Sequence, residues 1–225
     1  MEQIAEIFNR GQNINPENII KPVKIDWFQH STGIVNIARS FVPITEKNPL
    51  GFVIDAKVKE TLKQFLLYFS GDEKCSFDLN KGLFVVGGVG SGKTLLFKIF
   101  KEYTKKIIRI NSFRAFTSQE IVDNVNVSGI DFLNQFGTGL DYPMTCYFDD
   151  IASANENINR FGTKTNVIEQ LLSMRYNVYH RHSKLTHITS NKFLSEMEQL
   201  YGDRITDRIV EMFNIIELDT ESKRK

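Results

Sequence analysis

The octapeptide Gly87-Gly88-Val89-Gly90-Ser91-Gly92-Lys93-Thr94 holds two glycines, a lysine and a hydroxyl at the spacing G-x-x-x-x-G-K-[ST]. A glycine-rich loop that opens a helix lets backbone N–H groups close around phosphate, where the helix dipole also favours an anion. Lys93 then reaches the β- and γ-phosphates of a nucleoside triphosphate, and the Thr94 hydroxyl ligates Mg²⁺. Gly87, Gly88, Gly90, Ser91, Gly92 and Leu95 complete the candidate nucleotide contacts.

Three further clusters carry chemistry. Tyr147-Phe148-Asp149-Asp150-Ile151-Ala152 ends an apolar run on two adjacent carboxylates. Beside a phosphate loop, Asp149 would hold Mg²⁺ through its water shell, and Asp150 would orient or deprotonate the attacking water. Thr186 to Asn191 ends a second apolar run on polar residues. Ligands gather at the carboxyl ends of parallel strands, so Asn191 is placed to meet a γ-phosphate or its water; Ser-Asn is equally good turn sequence. Lastly, Arg204 and Arg208 share a face if Tyr201–Arg208 is helical. Like charges at that spacing oppose each other by about a few tenths of a kcal/mol, so the pairing is useful only if it meets an anion.

These residues need elements to position them. The apolar runs 83–86, 107–110, 145–149, 185–190 and 214–218 read as strands separated by helical patterns. One helix starts at Ala56 and stops at Gly71, and another opens on Thr117 and Glu120 at capping-box spacing. Strand–helix alternation of this kind predicts an α/β fold with a parallel five-stranded sheet between helical layers. Residues 1–50 contain Pro16, Pro22, Pro43 and Pro49 and show no long periodicity, although Ile4, Ile7 and Phe8 would suit an opening helix. The expected division is an adaptor or partner-binding segment over 1–50 and an ATPase domain over 51–225.

A net charge of +1 over 225 residues carries no global nucleic-acid signature, so any DNA contact must be local. Cys75 and Cys146, the only cysteines, have no metal-ligand spacing and read as reduced thiols. With no apolar signal core and no membrane-length apolar stretch, the expectation is a soluble, cytoplasmic protein without a membrane partner.

The order of phosphate loop, acidic strand end, Ser-Asn strand end and arginine-bearing helix is that of the AAA+ ATPases. The segments KGLFVVGGVGSGKT, YFDDIA, THITSN and YGDRITDRIVEMFNIIEL together resemble the DnaC/DnaI-type helicase loaders and the related IstB-type transposition ATPases, over roughly 55–220. The resemblance implies a P-loop NTPase (AAA+) three-layer sandwich without a C-terminal helical lid, using ATP and Mg²⁺. It makes Lys93 and Thr94 Walker A residues, Asp149 and Asp150 the Walker B pair, and Asn191 the sensor. Arg208 falls where the family has its arginine finger, with Arg204 beside it. Subunits of that family pack head-to-tail, so the finger would serve a neighbour's ATP in a homo-oligomer.

The implied partners are a replicative helicase or, on the IstB-like reading, a transposase acting on duplex DNA. The resemblance also implies a helical insertion over 111–136 that contacts single-stranded DNA, where Arg114 lies between Phe113 and Phe116. The bland reading of those rings is core packing. Lys98, Lys101 and Lys105 fall on one helix side, the 179–184 run reads as a polar loop, and Arg224 could lie near nucleotide. A rival class is a nucleotide-gated protein–protein switch that does not touch DNA.

Overall fold

The computed structural model describes residues 19–46, 48–139, 143–153, 156–160 and 163–218. The opening helix expected around Ile4, Ile7 and Phe8, and Arg224 in the tail, lie outside them. In chain order the strands are β1 (Gly82–Val86), β2 (Arg114–Thr117), β3 (Cys146–Ile151), β4 (Asn157–Arg160), β5 (Thr163–Asn166), β6 (Thr186–Ser190) and β7 (Phe213–Glu217). Five of them form a parallel sheet in the order β2-β3-β6-β1-β7, and β4 and β5 pair as a separate antiparallel hairpin. The helices are α1 (Trp27–Phe41), α2 (Ala56–Ser70), α3 (Lys93–Tyr103), α4 (Ser118–Ser128), α5 (Val167–His182), α6 (Leu194–Tyr201) and α7 (Asp203–Met212). A 3₁₀ segment, Ile130–Phe136, follows α4.

Side chains on β3 alternate between two aromatic layers, as period-two geometry requires. Tyr147 stacks on Phe97 of α3 at 4.1 Å between ring centroids. Phe148 faces the other way, against Phe116 and Phe136. Beneath α2 and α3, buried His187 lies among the rings of Tyr68, Phe69, Phe97 and Phe113. Its Nδ1 accepts the Leu83 N–H at 3.1 Å, so the ring is neutral there. Burial, with a smaller push from Arg175, lowers the His187 pKa from 6.5 to about 3.

Arg175 is buried in the opposite layer and, among the described residues, has no carboxylate partner. Its guanidinium instead donates to Thr186 Oγ1 and to the carbonyls of Phe136, Met144 and Leu185. Every bonded donor thereby exchanges water for a protein oxygen, which is what makes a buried cation tolerable.

The local signals act as expected for α2 and α4. Asp55 accepts the Val58 N–H, Gly71 closes α2 at φ 65°, and Thr117 and Glu120 form a reciprocal capping box. Four of the five expected sheet strands fall within a residue or two of their places.

The second strand does not. The 107–110 run is not a strand: α3 continues through a wider π-type turn over Thr104–Ile108, Arg109 turns left-handed at φ 58°, and β2 begins at Arg114. A short apolar run reads alike as a strand or as a helix end, and here Ile108 is buried while Ile107 meets Gly33 of α1.

Residues 1–50 also hold an element that the sequence pattern did not show. Residues 27–41 form a fifteen-residue helix, capped by Asp26, whose Ile34 and Ala38 are buried in the main core. A Cβ on Gly33 would stand 2.7 Å from Ile107, so the glycine permits close approach to the α3 extension. Asn111 also bonds both Lys21 and the Phe69 carbonyl, pinning the incoming chain to the end of α2. The helix within 1–50 is therefore packed against α3 and its extension.

Candidate nucleotide site

The phosphate loop leaves the carboxyl end of β1, and the acidic and Ser-Asn segments leave the corresponding ends of β3 and β6. A parallel sheet brings all three to one edge. Gly87 donates its N–H to the Ser190 carbonyl, and a Cβ there would stand 2.5 Å from the Leu218 oxygen. Gly92, at φ 94°, turns the chain into α3, and no side chain caps that helix.

Lys93 is buried, and its ammonium donates to the carbonyls of Gly87 and Gly88 at 2.7 and 2.9 Å. It also donates to Asn191 Oδ1 at 2.8 Å, with Ser91 Oγ at 3.4 Å. The Asn191 amide in turn donates to Asp150 Oδ1 at 2.8 Å. One asparagine thus joins the loop lysine to the second acid, across three strand ends.

Asp149 is the focus of a second set. Thr94 Oγ1, Tyr147 Oη and Thr189 Oγ1 all donate to its Oδ1, at 2.9, 2.5 and 2.6 Å. Burial first, and the adjacent Asp149 carboxylate second, hold the Tyr147 phenol well above its ordinary pKa, so it remains a donor. Thr94 and Asp149 supply hard oxygen donors at hydrogen-bond distance from each other, a donor set that fits Mg²⁺. Among the described residues no cluster of three or more His, Cys, Asp or Glu offers another metal site.

The two carboxylates are aimed by a bulge. Phe148 pairs with Ile188 and Ile151 with Ser190, so β3 has one residue more than β6 between those points. Thr189, opposite, takes the Asp150 N–H at 2.9 Å and gives its hydroxyl to Asp149. Asp150 and Ala152 are both left-handed, at φ 57° and 62°. That conformation costs non-glycine residues about 1 kcal/mol or more each, and persists only where the surroundings enforce it.

Arg204 and Arg208 lie one turn apart on α7, as the spacing requires. Arg204 is exposed. Arg208 is half-buried, donates to Ser173 Oγ at 2.8 Å and lies 4.8 Å over the Tyr176 ring, both on α5. Tyr176 is held in turn by Glu211 at 2.8 Å.

Other expectations change. Phe113 is buried against Phe69 and Phe97 and cannot stack on a base. Arg114 remains exposed, 5.0 Å over the half-buried Phe116 ring. Lys98 and Lys101 line a cavity of about 220 Å³ that opens beside Thr94 and Asp149 and reaches Phe116 and Glu120. The 179–184 run is no loop: through His182 it is the last turn of α5, where His180 lies 3.1 Å from Glu211. Tyr147 and Thr189 were missed, although Tyr147 is two residues before Asp149 in a strand and so shares its face.

Residues 74–221 match the AAA_7 family, described as the P-loop containing dynein motor region. The chain belongs to that family. No curated protein sequence matches this AAA_7 chain. Among solved structures it is similar to a protein described as a primosome component from Streptococcus pyogenes serotype M3, at 16% identity and TM-score 0.54, covering 95% of this chain and 100% of that one. It is similar to DnaI at 18% identity and TM-score 0.52, covering 92% of this chain and 98% of the other. The replication initiator DnaA bound to AMPPCP and single-stranded DNA matches at 16% identity and TM-score 0.50, over 76% of this chain and 49% of that one. At such identities the likeness is one of fold, and the fold is the P-loop NTPase sandwich expected from the motifs. Among the described residues no helix is long and apolar enough to cross a membrane.

Proposed function

We propose that this AAA_7 protein is an ATPase that assembles head-to-tail with ATP and loads a replicative helicase onto single-stranded DNA. The observation that carries the reading is the bonded set Lys93–Asn191–Asp150, with Thr94 on Asp149 beside it. Lys93 stands where the β- and γ-phosphates enter a P-loop. Asn191 fixes the Asp150 carboxylate, which orients or deprotonates the attacking water. Thr94, and Asp149 through water, would hold Mg²⁺, which would supply positive charge to offset that of the phosphates.

The γ-phosphate still needs a cation as negative charge spreads in the transition state. Arg208, braced on Ser173 and Tyr176, or the exposed Arg204 beside it, would serve the ATP of the next subunit. A finger supplied in trans is worth about 10³–10⁵ in rate. The loader role is supported by the shared fold of DnaI and the streptococcal primosome component, and single-strand contact by DnaA, whose structure holds single-stranded DNA. Arg114, exposed over the Phe116 ring, offers such a strand a cation.

The test is fluorescence anisotropy of labelled single- and double-stranded oligonucleotides at fixed salt, with Mg²⁺ and a non-hydrolysable ATP analogue, then with ADP. A single-strand preference confined to the ATP state is the expected result. Preference for duplex would move the protein to the transposition-type reading, and no binding in either state would leave a nucleotide-gated protein switch.

A further inference from the structure

One buried acid takes no part in the chemistry above. Glu156 is 4% exposed and follows the acidic turn. Its Oε1 accepts the Ala152 N–H at 2.6 Å, and its Oε2 accepts the Tyr201 hydroxyl at 2.5 Å. Its backbone carbonyl accepts the Val167 N–H, which begins α5. Burial raises its pKa, while hydrogen bonds from Tyr201, Ala152 and the Asn166 side chain act the other way.

We propose that Glu156 is a positioning residue that locks the turn carrying Asp150 to the corner from which Arg204 and Arg208 project. The proposal rests on the ATPase reading of Asp150. Tyr201, itself buried, is the last residue of α6, and Gly202 at φ 76° turns the chain directly into α7. The same carboxylate therefore ends on both halves of the proposed machinery. On one side it grips Ala152, whose left-handed backbone follows the left-handed Asp150 by two residues. On the other it grips Tyr201, which precedes the glycine that opens the arginine helix. A third tie runs through α5, where Val167 hangs from the Glu156 carbonyl and Ser173 holds Arg208.

Two left-handed non-glycine residues in a three-residue turn will relax unless bonds oppose it. Ser118 and Ser153 hold the Asp150 carbonyl and Thr189 its N–H, and the Ala152 N–H depends on Glu156. Without that bond the turn is free to open, and the Asp150 carboxylate leaves the position that Asn191 gives it. A phosphate that draws on Arg204 or Arg208 from the neighbouring subunit would, through Tyr201 and Glu156, act on this subunit's own Asp150.

Three variants test this. Glu156→Ala removes both side-chain bonds. Tyr201→Phe removes one while keeping the ring. In Glu156→Gln the amide oxygen can still accept from Ala152 and the amide N–H can donate to the tyrosine oxygen, so a bond to each remains, the second reversed. Turnover should fall about tenfold or more in Glu156→Ala and about threefold or more in Tyr201→Phe, since small misplacements of a reacting group are costly. Affinity for a non-hydrolysable ATP analogue should stay within about twofold in both, and Glu156→Gln should keep near wild-type turnover.

Hydrogen–deuterium exchange of segments 147–153 and 200–206 supplies a readout that needs no activity. Both should exchange faster in Glu156→Ala and Tyr201→Phe than in wild type. Unchanged exchange in either segment overturns the lock. So does a parallel loss of analogue affinity and turnover, which would mark a general structural role. If wild type itself hydrolyses no ATP, the ATPase reading fails and the positioning role falls with it, whatever the exchange shows. If wild type is active and Asp150→Asn is not, but Glu156→Ala turns over normally, the ATPase reading stands and this inference alone fails.

Discussion

Lys93 and Arg204 are both cations proposed to meet phosphate, and the fold treats them oppositely. Lys93 is 7% exposed, with carbonyls of its own loop and Asn191 on its ammonium. Arg204 stands in solvent on α7, and its neighbour Arg208 leans on α5 rather than on the phosphate loop. A buried ammonium held by loop oxygens is in place before the phosphate arrives, and has only to exchange one of those oxygens for a phosphate oxygen. An exposed guanidinium is screened by water and gains strength only when another molecule covers it. The difference suggests a site that is built on one side and left open on the other, which is the form expected if the second side is another subunit.

The largest expected effect comes from the built side. Lys93→Ala should lower turnover on the order of 10³-fold or more and lose nucleotide affinity, as read by steady-state hydrolysis and a fluorescent ATP analogue. Asp150→Asn should lose turnover to a similar degree while keeping the analogue affinity. If both variants hydrolyse ATP like wild type, the comparison collapses, because the enclosed half would not be the reaction centre.

On the open side, Arg208→Ala should cost on the order of 10³-fold in turnover even at concentrations where wild type assembles. Mixing it with Lys93→Ala should restore part of the activity, since each supplies what the other lacks. Arg204→Ala, treated the same way, shows which arginine of the pair is the finger. Absence of recovery in both mixtures would place the arginine function within one chain and remove the contrast.

A smaller effect tests the scaffold under the enclosed half. Burial lowers the His187 pKa from 6.5 to about 3, so the unfolded chain takes up a proton between those values and the folded protein does not. The contribution is fully present above about pH 6.5 and is lost as pH falls toward 3. His187→Phe should remove that slope from a denaturation series across this window. At neutral pH it should cost about 1–3 kcal/mol, because Leu83 N–H loses its buried acceptor.

The smallest effect lies at the edge strand, where Thr117 and Glu120 cap α4. Thr117→Ala should cost about 1 kcal/mol in thermal or denaturant unfolding. Turnover at saturating ATP should be unchanged, which separates the stability of β2 and α4 from the chemistry at the centre of the sheet.

The local pattern of the chain by itself determined the phosphate loop, the two polar strand ends, four of the five sheet strands, the helix stop at Gly71 and the helix start at Thr117. Each is written in adjacent residues or in a short period, so backbone geometry translates it directly. Tertiary structure decided what depends on partners distant in sequence. The 107–110 run became a helix end because Ile107 met Gly33 of α1, and β2 moved to Arg114. Phe113 went into the core while Phe116 stayed half-buried with Arg114 over its ring.

Most of the hydrogen bonds that aim the carboxylates are equally non-local. Thr189 reaches Asp149 from another strand, Asn191 joins Lys93 to Asp150, and Tyr201 finds Glu156 across 45 positions. Nothing in a serine, tyrosine or glutamate read alone says which of many polar partners it will meet. That choice follows from burial, where a polar group left without a partner costs about 1–3 kcal/mol, so the packed fold selects the pairing.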